Sequence, residues 1–100
     1  MLSINKSHKV KTPKQMERHF KGIANHRRIQ IILLVRDKPS ISLDKITEVL
    51  DANYKTMGGH ISRLISSGLI SRGQSGERAQ YNITPYGKTF CNFIDDFMFT

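Results

Sequence analysis

The segment between Leu43 and Pro85 constrains the fold more than any other part of the sequence. Its first half contains two stretches of helical periodicity, separated by the short polar segment Asp51–Asn53. Ser42 and Asn53 stand directly before these stretches, and both are residue types that cap helix N-termini. Gly68 follows the second stretch, where a C-terminal cap belongs. We therefore predict two short helices joined by a tight turn.

The second half of this segment predicts a two-stranded flap. Leu69–Arg72 is typical of a first strand, and Gly73–Gly76 is expected to form a flexible tip. Ala79–Ile83 alternates strictly between two faces, as a second strand does. Thr84 and Pro85 then cap and open a last helix. Two short helices followed by such a flap form a winged helix-turn-helix.

Two further helices are predicted before this segment. Thr12–Gln15 has the residues of a capping box, and Met16, Phe20 and Ile23 then recur at the spacing of one helical face. Asn25 precedes a second helix that is apolar nearly all round, which belongs at the centre of a domain or in a subunit interface. The fold class is therefore mainly α-helical with a small β-wing.

An excess of positive charge limits the classes of partner. The formal net charge is +8, which favours nucleic acid or an anionic membrane surface. No acidic residue occurs between Asp51 and Glu77, so a polyanion lying along this stretch would meet no like charge. The longest apolar run, Ile31–Val35, is far too short to span a bilayer, and no signal peptide is evident. The lone Cys91 forms no internal disulfide, which favours a reducing cytoplasm.

The second helix of the pair and the flap supply the candidate DNA contacts. By helical geometry, one side of residues 54–67 is apolar and the opposite side is polar and basic. Lone surface charges are usually only solvated, but their position in a helix-turn-helix favours a nucleic-acid contact. Tyr54 suits packing or a phosphate contact equally, and Gly58 and Gly59 suit either close approach to DNA or a relaxed position. The candidates are Asn53, Tyr54, Lys55, Thr56, Gly59, Ser62, Arg63, Arg72, Gln74 and Arg78.

Three segments resemble the winged-helix transcriptional regulators of the ArsR-like kind. They are Ile23–Ile32, which is similar to that family's second-helix opening, Leu50–Ile70 with its Gly-Leu-Ile ending, and Tyr81–Lys88 at the end of the flap. The last two of these segments resemble archaeal, MarR-like and PadR-like winged-helix proteins nearly as well. The resemblance implies the element order α-α-β-α-α-β-β-α. The first strand of this order would be Ser40–Ser42, which is short enough to form only a single β-bridge. It also implies that the fourth helix enters the major groove of double-stranded DNA, with the wing alongside.

The resemblance further implies a homodimer through the first and last helices. The last helix and its tail hold four of the five phenylalanines, more apolar surface than one small domain buries. We thus expect a flexible basic arm (residues 1–11), which either follows DNA phosphates or is simply solvated, and a winged-helix DNA-binding domain (residues 12–100) with a C-terminal dimerisation helix. The predicted interface residues are Met16, Phe20, Tyr86, Phe90, Phe93, Ile94 and Phe97.

Several features argue against metal sensing and catalysis. Metal-sensing members often carry paired cysteines at the start of the third helix, where this chain has Ser42–Lys45, and the last helix has no His. Asp95 and Asp96 point about 100° apart on a helix, so they do not converge on one reacting atom. Cys91 is expected to pack. We therefore predict no enzyme, no metal and no cofactor, and the sequence does not identify a small-molecule effector. The alternative function is a winged-helix module that binds protein or RNA within a larger assembly.

Overall fold

The computed structural model describes residues 10–100, and five helices and one two-stranded sheet lie within them. Ile41 forms an isolated β-bridge with Tyr81, at the place predicted for the first strand. The predicted element order is therefore present, with its first strand reduced to one bridge. The predicted arm lies outside the described residues except for Val10 and Lys11. The elements are α1 (Pro13–Ile23), α2 (His26–Asp37), α3 (Leu43–Leu50), α4 (Tyr54–Ser66), β1 (Ile70–Ser75), β2 (Arg78–Ile83) and α5 (Pro85–Met98).

Each helix begins after the capping residue that the sequence predicted. At α1, the Gln15 amide donates to Thr12 Oγ1 at 3.2 Å, and the Thr12 amide donates to Gln15 Oε1 at 2.9 Å. These side chains satisfy first-turn groups that have no partner within a helix, which is why the helices begin where they do. The other N-terminal caps that accept from first-turn amides are Asn25, Ser42, Asn53 and Thr84.

The flap, or wing, is a regular antiparallel hairpin. Its two strands pair residue for residue along their whole length. The expectation of a flexible tip over Gly73–Gly76 was wrong, because β1 continues through Gly73 and only Gly76 and Glu77 form the turn. Gly76 has a φ of 63°, which a two-residue hairpin turn requires and which glycine adopts without strain. The hairpin turn is therefore formed at Gly76 and not at Gly73.

α2 forms the centre of the domain. Its residues Ile31, Ile32 and Val35 are fully buried, and its other apolar side chains pack at the edge of the core. The helix contacts α1, α3, α4, α5 and β2, which explains why it is apolar nearly all round. The remaining buried core residues are Ile23, Ile41, Ile46, Met57, Ile61, Leu64, Leu69, Ile70, Tyr81 and Cys91.

α1 buries the side that meets the end of α4, together with Ile23 at the end of its apolar face. Met16 and Phe20 remain 38% and 55% exposed, whereas His19 and Gly22 are buried. The reason is a close approach to the end of α4, because a side chain at Gly22 would overlap the side chain of Ser67. His19 Nδ1 donates to the Ser67 carbonyl at 2.6 Å, so the buried imidazole has a partner.

The chain that follows α4 joins α1, α5 and the wing, and we call Ser67–Leu69 the α4 junction. The first of its three carbonyl groups accepts from His19. The second accepts from Thr84 Oγ1 at 2.6 Å, and the third accepts from the Thr84 amide at 3.3 Å. Gly68 has a φ of 77° and turns the chain from α4 towards β1. The position of α4 is therefore fixed by α1 on one side and by the start of α5 on the other.

Gly87 provides a test of the α4 junction. A Cβ at position 87 would overlap the Leu69 carbonyl oxygen. This oxygen belongs to the backbone, so a change of side-chain rotamer cannot relieve the overlap. We expect Gly87→Ala to lower the free energy of unfolding by about 1–3 kcal/mol, as overpacking does. Gly59→Ala is the matched control, because a Cβ at that position would meet no atom within 4 Å. The control should raise stability by up to about 1 kcal/mol. Urea unfolding measures both, and a Gly87 variant as stable as the wild type would contradict this packing.

Candidate nucleic-acid interface

The side of α4 that faces away from the core is polar and open to solvent. Its buried side carries Met57, Ile61 and Leu64 at helical spacing. All ten residues predicted as DNA contacts are exposed, which a contact surface requires. On α4 and its cap they are Asn53, Tyr54, Lys55, Thr56, Gly59, Ser62 and Arg63, and on the wing they are Arg72, Gln74 and Arg78.

The first turn of α4 uses some of these groups to build the helix. Asn53 Oδ1 accepts hydrogen bonds from the amides of Lys55 at 2.9 Å and Thr56 at 3.2 Å. The Thr56 hydroxyl donates to the same oxygen at 3.4 Å. Tyr54 is 56% exposed, so packing inside the domain is not its role. The groups of this turn that these bonds leave for a partner include the Tyr54 and Lys55 side chains and the Nδ2 donors of Asn53.

Two glycines leave the middle of α4 without side chains. A Cβ at Gly58 or Gly59 would meet nothing within 4 Å, so packing does not require glycine at either position. Each glycine costs a helix interior about 1 kcal/mol relative to alanine. The pair exposes the main chain of α4 between Lys55 and Arg63, where a partner can approach the backbone closely.

Arg72 and Arg78 lie on opposite faces of the wing. Side chains alternate along a strand, and directly paired residues point to the same side. Arg72 pairs with the buried Tyr81 and shares its face, whereas Arg78 pairs with Ser75 on the other face. Glu77 occupies the turn between the strands. The wing thus offers one arginine on each side rather than a basic tip.

A basic cluster that the sequence reading did not single out lies against the flank of α4. Arg28, in the first turn of α2, donates from Nε to the Gly22 carbonyl at 2.7 Å. Its Nη1 donates to Nδ1 of His60 at 3.3 Å. One guanidinium therefore connects the end of α1, the start of α2 and the middle of α4.

The charge in this cluster affects His60. Burial lowers the pKa of His60, and the positive charges of Arg28, His26 and Arg27 lower it further. A sequence signal for the cluster exists, because residues 18–36 contain no Asp or Glu. The basic character of the protein is therefore not confined to the outward face of α4 and the wing.

A second exposed surface is apolar and lies between α1 and α5. Phe20 meets Phe90 edge to face with ring centroids 5.2 Å apart, and Phe93 stacks on Phe97 at 5.5 Å. An apolar groove of about 440 Å³ runs between the two helices. We call this region the α1–α5 surface. Of the predicted interface residues, Phe90 and Ile94 are half-buried, and the exposed ones are Met16, Phe20, Tyr86, Phe93 and Phe97.

Two of the remaining candidates for chemistry, Cys91 and Asp95, are held in structural contacts. Cys91 is fully buried and its thiol donates to the Ile32 carbonyl at 3.8 Å, and burial raises the pKa of that thiol. Asp95 accepts from Arg36 Nη1 at 2.7 Å, while Asp96 is exposed. Within residues 10–100, no three His, Cys, Asp or Glu side chains form a group suited to a metal ion. The same residues contain no helix with the length and apolar content to cross a bilayer.

Comparison with known proteins identifies the fold. No family model matches the sequence, and no curated protein matches it. A homodimeric winged helix-turn-helix DNA-binding domain from Mycobacterium bovis, described as a possible ArsR-family transcriptional regulator, has a TM-score of 0.77 at 24% identity, over 85% of this chain and 79% of its own. HlyU from Vibrio cholerae has a TM-score of 0.77 at 18% identity, over 87% and 95%. The transcriptional repressor PagR of Bacillus anthracis has 0.74 at 16% identity, over 81% and 93%.

These similarities agree with the element order and the wing described above. Identities of 16% to 24% leave few side chains in common, so the shared feature is the backbone arrangement. The chain therefore has the winged-helix fold that its sequence predicted.

The surroundings of His60 predict a pH dependence of stability. Because its pKa in the folded protein lies below the ordinary 6.5, folding favours the neutral ring. This costs nothing well above pH 6.5, and the cost grows as the pH falls, because the unfolded chain then binds a proton that the folded chain excludes. His60→Gln keeps an acceptor for Arg28 and should lose less stability than the wild type between about pH 7.5 and about pH 5.5. Urea unfolding at both pH values measures this, and equal losses would refute it.

Proposed function

We propose that this protein is a homodimeric winged-helix regulator that binds double-stranded DNA with sequence specificity and controls transcription in the cytoplasm. One observation carries the proposal: the outward side of α4 and the adjoining wing are exposed and bear Lys55, Arg63, Arg72 and Arg78. The likeness of the fold to the repressor PagR supports the class of function. The protein acts by binding and not by catalysis.

α4 enters the major groove in this proposal. Its 13 residues extend about 20 Å at 1.5 Å per residue, which exceeds the roughly 12 Å width of the groove. Lys55 and Arg63 lie about two turns apart and reach base edges or phosphates at separate points. Arg63 has the fork geometry that pairs with guanine. Between them, Gly58 and Gly59 allow the helix backbone to approach the DNA.

The wing supplies contacts that depend less on base sequence. Arg72 and Arg78 on opposite faces suit phosphates on either side of a groove. Gln74 lies two residues after Arg72 on β1, so its side chain is on the same face of the wing as that of Arg72. Phosphates repel Glu77, so the wing lies along the DNA backbone and does not insert its tip.

A second copy of the chain covers the α1–α5 surface in this proposal. The exposed aromatic side chains there form a contiguous apolar patch, which monomeric proteins rarely leave open. If the two α4 helices of such a dimer enter successive major grooves, the half-sites lie about 34 Å apart. The M. bovis domain of similar fold is described as homodimeric.

Binding to duplex DNA tests the α4 and wing surface. Affinity should fall with salt, with a slope of about −0.9 in log K against log salt for each neutralised phosphate. Lys55→Ala and Arg63→Ala should weaken binding and reduce discrimination between sequences, by about 1–3 kcal/mol where a base contact is lost. Arg72→Ala and Arg78→Ala should weaken binding to all duplexes more uniformly. Fluorescence anisotropy over a salt series with selected and scrambled duplexes measures both effects.

Lys38→Ala is the matched control for these substitutions. It removes one exposed charge just beyond the carboxyl end of α2, outside the residues proposed to contact DNA. It should leave affinity and salt slope close to those of the wild type. If the four test substitutions also leave duplex binding unchanged, this surface is not the DNA site. A winged-helix module that binds protein or RNA then becomes the better explanation.

The oligomeric state tests the α1–α5 surface. Phe93 is 56% exposed, so Phe93→Asp should leave the fold intact while placing a charge in the proposed interface. We expect the wild type to sediment as a dimer at micromolar concentration and the variant as a monomer. Val49→Asp is the control, because Val49 is also exposed but lies on α3. A monomeric wild type would exclude the proposed dimer.

A further inference from the structure

A basic corner lies where α1 turns into α2, outside the surface proposed above. It consists of Arg18, Lys21, His26, Arg27 and Arg28, and we call it the α1–α2 corner. Residues 18–36 contain no acidic residue, and Glu17, directly before them, lies near Lys21 of the corner. The corner carries a larger share of the net charge of +8 than the outward side of α4 does.

Hydrogen bonds hold the corner in a defined place beside α4. Arg28 is fixed by the Gly22 carbonyl and by His60, at 2.7 Å and 3.3 Å. Arg27 donates to the Leu50 carbonyl at 3.2 Å, which connects α2 to the end of α3, immediately before the helix-turn-helix turn. These two charges are thus preorganised, because little side-chain freedom remains to be lost when a partner binds.

Arg18 extends the corner to the far end of α4. A Cβ added at Gly68 would lie 2.9 Å from Arg18 Nη2, so this guanidinium lies over the residue that follows the helix. Between His60 and the last helical residue, Ser66, α4 rises by about 9 Å. Basic groups therefore follow the flank of α4 over a distance that corresponds to about three phosphates of one DNA strand.

The charges of the corner are poorly neutralised within the protein. The ion pairs found among residues 10–100 include Lys21, which lies 3.8 Å from Glu17, but not Arg18, Arg27 or Arg28. The lowered pKa of His60, due first to burial and then to Arg28, His26 and Arg27, is consistent with an uncompensated positive potential. Fold stability explains the backbone contacts of Arg27 and Arg28, but it does not explain the exposed Arg18 and His26.

We propose that the α1–α2 corner binds the phosphate backbone of the DNA along the α1 flank of α4, as a contact that fixes register without reading sequence. This inference rests on the proposed DNA-binding function. The DNA would then be held by the wing, which follows α4 in the chain, and by the corner, which precedes it. Phosphate contacts of this kind position a recognition element and contribute strongly to affinity.

The test compares two variants that each remove one exposed positive charge. Arg18→Gln changes the corner, and Lys38→Gln changes the opposite end of α2, about 18 Å along the helix from His26. Duplex affinity is measured from about 50 to about 200 mM salt, with a selected duplex and a scrambled one. Arg18→Gln should reduce affinity for both duplexes by the same factor. Over this salt range, the fold-loss of affinity of the variant should also be smaller than that of the wild type by a factor of about 3 to 4. The reason is that one lost phosphate contact lowers the slope of log K against log salt by about 0.9.

The outcomes separate this inference from the proposed function. If Arg18→Gln behaves like Lys38→Gln while Lys55→Ala still weakens binding, the corner is not a phosphate site and the α4 surface remains the DNA site. A loss confined to the selected duplex would also overturn the inference, since a phosphate contact reads no sequence. If the wild type does not bind duplex DNA at all, both proposals fail. Thermal melting of each variant confirms that the fold is retained.

Discussion

Hydrogen bonds at the carboxyl end of α4 hold the rest of the structure in place. The last carbonyl groups of a helix have no partner within it. The amides of the α4 junction satisfy carbonyls of the last turn of α4, and the carbonyls of the junction accept from His19 of α1 and from Thr84 before α5. Gly22 and Gly87 permit the close approach that these bonds require. A buried carbonyl without a partner would cost about 1–3 kcal/mol, so the two helices and the wing are positioned together.

The α4 junction also relates two surfaces of different chemistry. α1 and α5 turn apolar side chains outward, while α4 and the wing present basic and polar ones. Because both surfaces are built on elements that meet at the junction, the direction of α4 follows from the packing of α1 and α5. In the proposed dimer, the same packing would set the distance between two α4 helices, and half-site spacing depends on that distance.

Local signals in the sequence predicted the helix starts, because a cap such as Thr12 or Asn53 acts on amides of its own first turn. The burial of His19 was not predicted, because its partner Ser67 lies 48 residues away and periodicity carries no such information. The candidate residues of α4 are exposed, as the sequence predicted, since exposure on a helix follows from helical angle. The cluster around Arg28 was missed because it forms only when three helices meet.

The most direct measurement is the mapping of amide chemical shifts in the isotope-labelled protein as duplex DNA is added. If α4 and the wing form the DNA site, the largest changes will lie at residues 54–63 and along both strands of the wing. Smaller changes will follow at the α1–α2 corner, and the outward side of α5 around Phe93 will be unaffected. Changes confined to the α1–α5 surface, with α4 unperturbed, would contradict the proposed interface.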